Sequence, residues 1–238
     1  MQHRKVNLML RCIVIFDQGF AQHGRSIFWL TRAYGQTCKL LAARAAKDKI
    51  AAMGGVYVVI SAGLWLAWLV SWNAAAFWRD KSTAEAPRNH YRLHFVIVVV
   101  GFMLTFGVFG WINPPLWTPT PALGWSMVAL TAAGLLFTWW ARLHMGRLWH
   151  GGVSRTAQHR TIDSGPFALV RHPIYAGLIV AVIAMAVIQA RGLALVGAAL
   201  FAFGFILKAR VEERFLAEQL PDYAAYRDRV RMIVPFVI

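Results

Sequence analysis

The residues that could do chemistry fall in two short stretches. Arg171-His172-Pro173-Ile174-Tyr175 gathers a guanidinium, an imidazole and a phenol, and Glu212-Glu213 sets two carboxylates side by side. Proline is tolerated at the first helical position, where its missing N–H would have had no partner, so a helix is expected to start at Pro173. Such a helix end carries partial positive charge and free N–H groups, and with Arg171 it suits a carboxylate. Taken alone, Arg171 and His172 read more readily as a helix end anchored among lipid headgroups. Glu212 stands four residues after Lys208, the spacing of an exposed helical ion pair, and alone that solvated-face reading is favoured. Near a membrane interface, however, a carboxylate can also stabilise an organic cation or hold ribose hydroxyls, and Tyr175 or Phe167 could add cation–π attraction.

The elements that must position these groups are apolar. Of the 238 residues, 58% are hydrophobic and 15% charged, above the roughly 45–50% apolar share of a soluble domain. Runs of the length needed to cross a bilayer, about 20 residues, occupy residues 53–72, 94–112 and 122–141. A fourth apolar stretch, 173–209, is too long for one span and is broken by Gln189-Ala190-Arg191-Gly192, so it reads as a helical hairpin. The expected fold is all-α: a polytopic membrane protein of about five transmembrane helices, with a C-terminal hairpin and a cytoplasmic segment. Folding the hairpin back brings Arg171-His172 beside Glu212-Glu213.

Lysine and arginine counts give an orientation. Residues 73–93 hold four, residues 142–172 five and the tail after Leu207 six, whereas 113–121 hold none and the hairpin tip only Arg191. The three basic segments are therefore expected in the cytoplasm. Residues 1–52 then fall outside despite nine Lys and Arg, which strains the rule. Two readings relieve that strain: the segment lies along the inner surface with a further crossing, or Met53 is the physiological start. The net charge of +15 is dispersed between apolar runs, so no nucleic-acid partner is expected. Cys12 and Cys38 have no metal-ligand spacing, and no metal is expected.

The run from His159 to Gly177, with His159, Gly165-Pro166-Phe167 and Arg171-His172-Pro173-Ile174-Tyr175-Ala176-Gly177, resembles the isoprenylcysteine carboxyl methyltransferase family. Glu212-Glu213, Tyr223, Tyr226 and Pro235 match its later elements, and Gly146-Arg147-Leu148-Trp149 is similar to one found in many bacterial members. The resemblance divides the chain into residues 1–52, transmembrane helices in 53–143 and a methyltransferase-like region in 144–238. It implies S-adenosylmethionine as cofactor, in a pocket of non-Rossmann type; no Gly-x-Gly-x-x-Gly motif occurs. The implied cofactor contacts are His159, Ile162, Gly165, Pro166, Phe167, Arg171, His172, Pro173, Tyr175, Glu212 and Glu213, with Arg171 and Glu213 as catalytic residues. Its implied partners are membrane lipids and a lipophilic methyl acceptor bearing a carboxylate. Phe167 replaces the usual tyrosine, and Leu220-Pro221 stands where Phe-Gly is common. Alternatives are a phospholipid or small-thiol acceptor, an NADPH-dependent membrane reductase like the sterol reductases, and a non-catalytic membrane protein.

Overall fold

A computed structural model of the chain describes residues 39, 55–75, 84–85, 89–107, 113–146, 154–155, 162–220 and 222–234. The chain divides into two compact units, Met1–Ala52 and Met53–Ile238. Of the first only Lys39, helical and exposed, is described, so the readings of residues 1–52 lie outside the described residues.

The second unit is helical. Helices α1 (Gly55–Ala75), α2 (Asn89–Thr105), α3 (Pro121–Met145), α4 (Pro173–Gln189), α5 (Gly192–Gln219) and α6 (Tyr223–Arg229) follow in order. A 3-10 turn, Gly165–Ala168, precedes α4. Among the described residues the one ladder is a two-residue antiparallel pairing of β1 (Ala84–Glu85) with β2 (Ser154–Arg155). Among the described residues three helices are long and apolar enough to cross a membrane: α1, α3 and α5. The apolar parts of α2 and α4, Leu93–Thr105 and Pro173–Gln189, are shorter. At 1.5 Å per residue the 17-residue α4 extends about 25 Å, less than the roughly 30 Å hydrocarbon core. The apolar run expected to remain helical through residue 112 stops at Thr105, where Gly107 turns the chain at φ +79°.

Local signals explain the ends. Thr120 caps α3 by accepting from the Leu123 N–H, Pro121 occupies its first turn, and Arg142 and His144 complement the dipole in its last. Pro173 starts α4, and Ala190 ends it in the left-handed conformation at φ 54°. That tight tip is held from outside: the Leu116 N–H donates to the Ala190 carbonyl at 2.6 Å, and the Arg191 guanidinium donates to the Asn113 carbonyl.

Lipid tails are as apolar as leucine, so close van der Waals contact and small residues must hold membrane helices together. Here α3 meets α4 where Gly134 and Gly177 face each other's carbonyls, and α2 meets α5 where Gly101 and Gly197 do the same. Trp65 of α1 plugs the bundle, buried with Leu135, Leu178, Ala181 and Phe201, and its ring makes edge contacts with Trp68, Phe102, Phe106 and Phe201. Buried Arg142 ties α3 to the end of α1, donating to the Ala75 carbonyl at 2.6 Å beneath the Trp72 ring. The outer surface is apolar, with Val59, Leu66, Val70, Phe95, Leu136 and Phe203 exposed, a surface that suits lipid and not water.

The Gly134–Gly177 crossing has no room for a methyl group. A Cβ on Gly177 would collide with the Gly134 carbonyl oxygen and stand 2.8 Å from the Thr138 methyl. Gly177→Ala is therefore expected to lose about 1–3 kcal/mol, measured as a lower thermal midpoint in detergent. Gly63→Ala, at a helical position with nothing within 4 Å of the added carbon, should not. Equal midpoints for Gly177→Ala and wild type would contradict this packing.

Candidate functional site

The hairpin returns α5 to the mouth of α4, and the two chemical stretches meet there. The Arg171 Nε donates to Glu213 Oε1 at 2.7 Å, with both side chains largely buried. His172 sits between the carboxylates, its Nδ1 3.5 Å from Glu212 Oε2 and its Nε2 3.3 Å from Glu213 Oε1. The second contact is close but misaligned, since His172 Nε2 is buried without a hydrogen-bond partner. The attraction there is charge against charge. Tyr175 lies one turn into α4, so its ring stacks on His172 at 5.3 Å and 6°, and its hydroxyl donates to Glu212 Oε1 at 2.6 Å. Lys208, one turn before Glu212 on α5, places its ammonium 3.8 Å from the same oxygen and 5.2 Å over the Tyr175 ring. Phe205 closes that ring's other neighbourhood at 4.9 Å.

Burial alone would pull the His172 pKa down, but the nearby Glu212 and Glu213 carboxylates together raise it above the ordinary 6.5. Because the folded value is the higher one, this contribution to stability is complete below pH 6.5 and is lost as pH rises through the raised value.

The C-terminal segment forms the remaining wall. The Arg171 N–H donates to the Arg231 carbonyl at 2.8 Å and the His172 N–H to the Met232 carbonyl at 3.0 Å. The Arg171 Nη1 donates to the Arg227 carbonyl at 2.9 Å and also to the Val230 carbonyl. Met232 and Ile233 pack on Ala209, Ile206, Tyr175 and Ile179. Arg171 therefore fixes one of the carboxylates and the end of α6 at the same time.

The residues before α4 form an adjoining apolar cluster. Phe167 is buried with Ala141, Leu220, Tyr223 and Tyr226, and Ile162 packs on that group. The Tyr226 hydroxyl donates to the Phe167 carbonyl at 2.7 Å. Burial pushes the Tyr223 and Tyr226 pKa values far up, so both stay phenols. Gly165 adopts φ +58°, a conformation that favours glycine, and lies under the His144 ring, whose Cε1 would be 2.8 Å from a Cβ there. His144 Nε2 is also 3.0 Å from the Ser164 hydroxyl.

Of the residues expected at the site, Arg171, His172, Tyr175, Glu212 and Glu213 come together directly. Pro173 is buried at the start of α4, while Ile162, Gly165, Pro166 and Phe167 shape the neighbouring turn. His159 lies outside the described residues. Arg171, expected to orient a carboxylate, bonds to Glu213 and to tail carbonyls. The pairing of 171–172 with 231–232 has no signature in the residues, because the bonds are made by backbone. His144 against Gly165 was equally hidden, though a glycine two positions before a site aromatic was a hint of something lying close.

These features define an integral membrane protein, all-helical, with a charged and aromatic site where the last hairpin ends. Residues 127–218 match the model of the Isoprenylcysteine carboxyl methyltransferase (ICMT) family. The Cobalt-zinc-cadmium resistance protein CzcN of Cupriavidus metallidurans is 30% identical over 155 residues, which cover 62% of this chain. The match spans 65% of the length of that relative, slightly under two thirds.

Lysine at position 171 would keep the charge opposite Glu213 but lose the planar fork that reaches Glu213 and two carbonyls together. Arg171→Lys is expected to raise amide exchange over residues 227–232 roughly tenfold or more, as loss of charge-assisted bonds of about 1.5–3 kcal/mol implies. Unchanged protection would make Arg171 a headgroup anchor only.

Proposed function

We propose that the chain is a methyltransferase that uses S-adenosylmethionine and transfers its methyl group to a lipophilic, carboxylate-bearing acceptor of the isoprenylcysteine kind. In this reading five helices cross the bilayer and the site faces the cytoplasm, where the basic segments lie. The observation that carries it is the meeting of Arg171-His172 with Glu212-Glu213 beside a stacked aromatic pair. The family match over residues 127–218 supports the same chemistry.

The residues present fit the cofactor. Among the described residues, both partners of Glu213, Arg171 and His172, meet its Oε1, so Oε2 is placed to accept from ribose hydroxyls or an ammonium. The carboxylate pair also favours a sulfonium electrostatically, and the Tyr175 ring adds a π face for it. Bound S-adenosylmethionine would supply a methyl group attached to a positively charged sulfur. Everything else falls to the chain. Glu212 and Glu213 bind, His172 holds the two carboxylates at fixed separation, and Arg171 keeps the C-terminal segment closed over them. A carboxylate acceptor is already ionised at neutral pH, so the site needs no strong base. Its contribution is positioning and electrostatics.

The relative's name concerns cobalt, zinc and cadmium resistance. Among the described residues no group of three or more His, Cys, Asp or Glu could hold a metal ion, and the reading makes no use of one.

Calorimetry on the detergent-solubilised chain is expected to detect S-adenosylhomocysteine binding and none of NADPH. Glu213→Gln, which keeps an oxygen for Arg171 but removes the charge, should weaken that binding about tenfold to a hundredfold with folded yield preserved. Binding of NADPH alone would transfer the chain to the reductases, and undiminished S-adenosylhomocysteine binding by Glu213→Gln would remove Glu213 from the site.

A further inference from the structure

Six lysines and arginines follow Leu207, and they are unequally engaged. Lys208 stands by Glu212 and the Tyr175 ring, and Arg229 pairs with Asp163 at 3.1 Å. Arg210, Arg214, Arg227 and Arg231 are exposed. Among the described residues their guanidinium groups form no hydrogen bond or ion pair. Exposed arginines at the basic end of a membrane protein are ordinary, but two of these four differ in the face they occupy.

At the helical repeat, the exposed positions Leu195, Val196, Ala199, Phe203, Arg210 and Arg214 of α5 fall within an arc of about 100°. The first four are apolar, a surface that suits lipid, and the two arginines prolong it toward the site end. Lys208 and Glu212 lie about 160° round the helix from Arg210, so these guanidiniums belong to the outer surface and not to the carboxylate cluster. Depth agrees with that placement. Measured from Gly192, beside the charged tip residue Arg191, Arg210 stands about 27 Å along the helix and Arg214 about 33 Å. The hydrocarbon core is roughly 30 Å thick, so the pair straddles its boundary, where lipid phosphates begin. One turn, about 6 Å, separates the two, and their flexible stems let both planar forks reach a single phosphate. Glu218, exposed one turn further on, forms no ion pair with Arg214 among the described residues. Arg227 and Arg231 stand on α6 and the segment after it, outside the membrane-crossing helices.

We propose that Arg210 and Arg214 form a binding site for the phosphate of an anionic phospholipid in the leaflet on the site's side of the membrane. The inference concerns the outer face of α5 and does not depend on methyl transfer. An anionic lipid is favoured over a zwitterionic one, because the two guanidiniums carry two positive charges and repel a choline ammonium on the same headgroup. A lipid held there fixes the depth of α5, whose inner face carries Glu212.

The test titrates the full chain, delipidated in detergent, with phosphatidylglycerol and phosphatidylcholine of the same acyl chains and counts bound lipid by native mass spectrometry. Wild type is expected to bind one phosphatidylglycerol at least about tenfold more tightly than phosphatidylcholine. The double variant Arg210→Gln, Arg214→Gln should bring phosphatidylglycerol down to the affinity of phosphatidylcholine. The control Arg227→Gln, Arg231→Gln removes the same charge from the other exposed pair and should keep the preference. A second measurement needs no variant: labelling of Arg210 and Arg214 by phenylglyoxal in wild type should fall on adding phosphatidylglycerol and not on adding phosphatidylcholine or glycerol 3-phosphate. No preference in wild type, a preference that survives Arg210→Gln with Arg214→Gln, or equal loss in the control would overturn the proposal. Equal protection by glycerol 3-phosphate would make the pair a site for soluble phosphate and overturn the lipid assignment.

Discussion

An imidazole between two carboxylates, with a guanidinium gripping one of them, is the interaction on which the site is built. Two adjacent glutamates at a helix end repel each other, and burial beside an apolar hairpin makes each costly to keep charged. His172 and Arg171 offset both effects, and the Tyr175 hydroxyl and Lys208 ammonium complete the shell around Glu212. Because Arg171 also binds the carbonyls that end α6, the charge cluster and the C-terminal wall form one cooperative object. Breaking the pair would free the tail as well as the carboxylate.

That cluster can form only if the ends of α4 and α5 arrive together. Their register depends on backbone contact between helices, with Gly134 against Gly177 fixing α4 on α3 and Gly101 against Gly197 fixing α5 on α2. The left-handed Ala190 turns the chain between them, and hydrogen bonds from the α2–α3 connection steady that turn. A shift of a few tenths of an ångström at a glycine crossing would be carried along a rigid helix to the carboxylates. Apolar packing within the bundle and polar geometry at its edge are linked in this way.

Much of this was legible in the residues. The hairpin, the start of α4 at Pro173 and the nearness of Arg171-His172 to Glu212-Glu213 follow from span lengths and one proline. Lys208 beside Glu212 follows from helical spacing. What could not be read was where the other bonds of Arg171 go. Two of them run to backbone carbonyls 56 and 59 positions away, and a carbonyl carries no sequence signal. The end of α2 at Thr105 was missed for a related reason: hydropathy continues through residue 112, but a glycine at positive φ ends a helix whatever its neighbours' polarity. Glycine crossings and the His144–Gly165 contact are matters of three-dimensional closeness, invisible to a one-dimensional pattern.

The most direct measurement is an experimental structure of the chain with S-adenosylhomocysteine bound in a lipid environment. The account predicts density for the ligand at the mouth of the α4–α5 hairpin, with Glu213 or Glu212 within hydrogen-bond reach and the His172–Tyr175 stack beside the sulfur. Density at a place that touches neither glutamate, with the Arg171–Glu213 pair and the tail unchanged around an empty mouth, would contradict it.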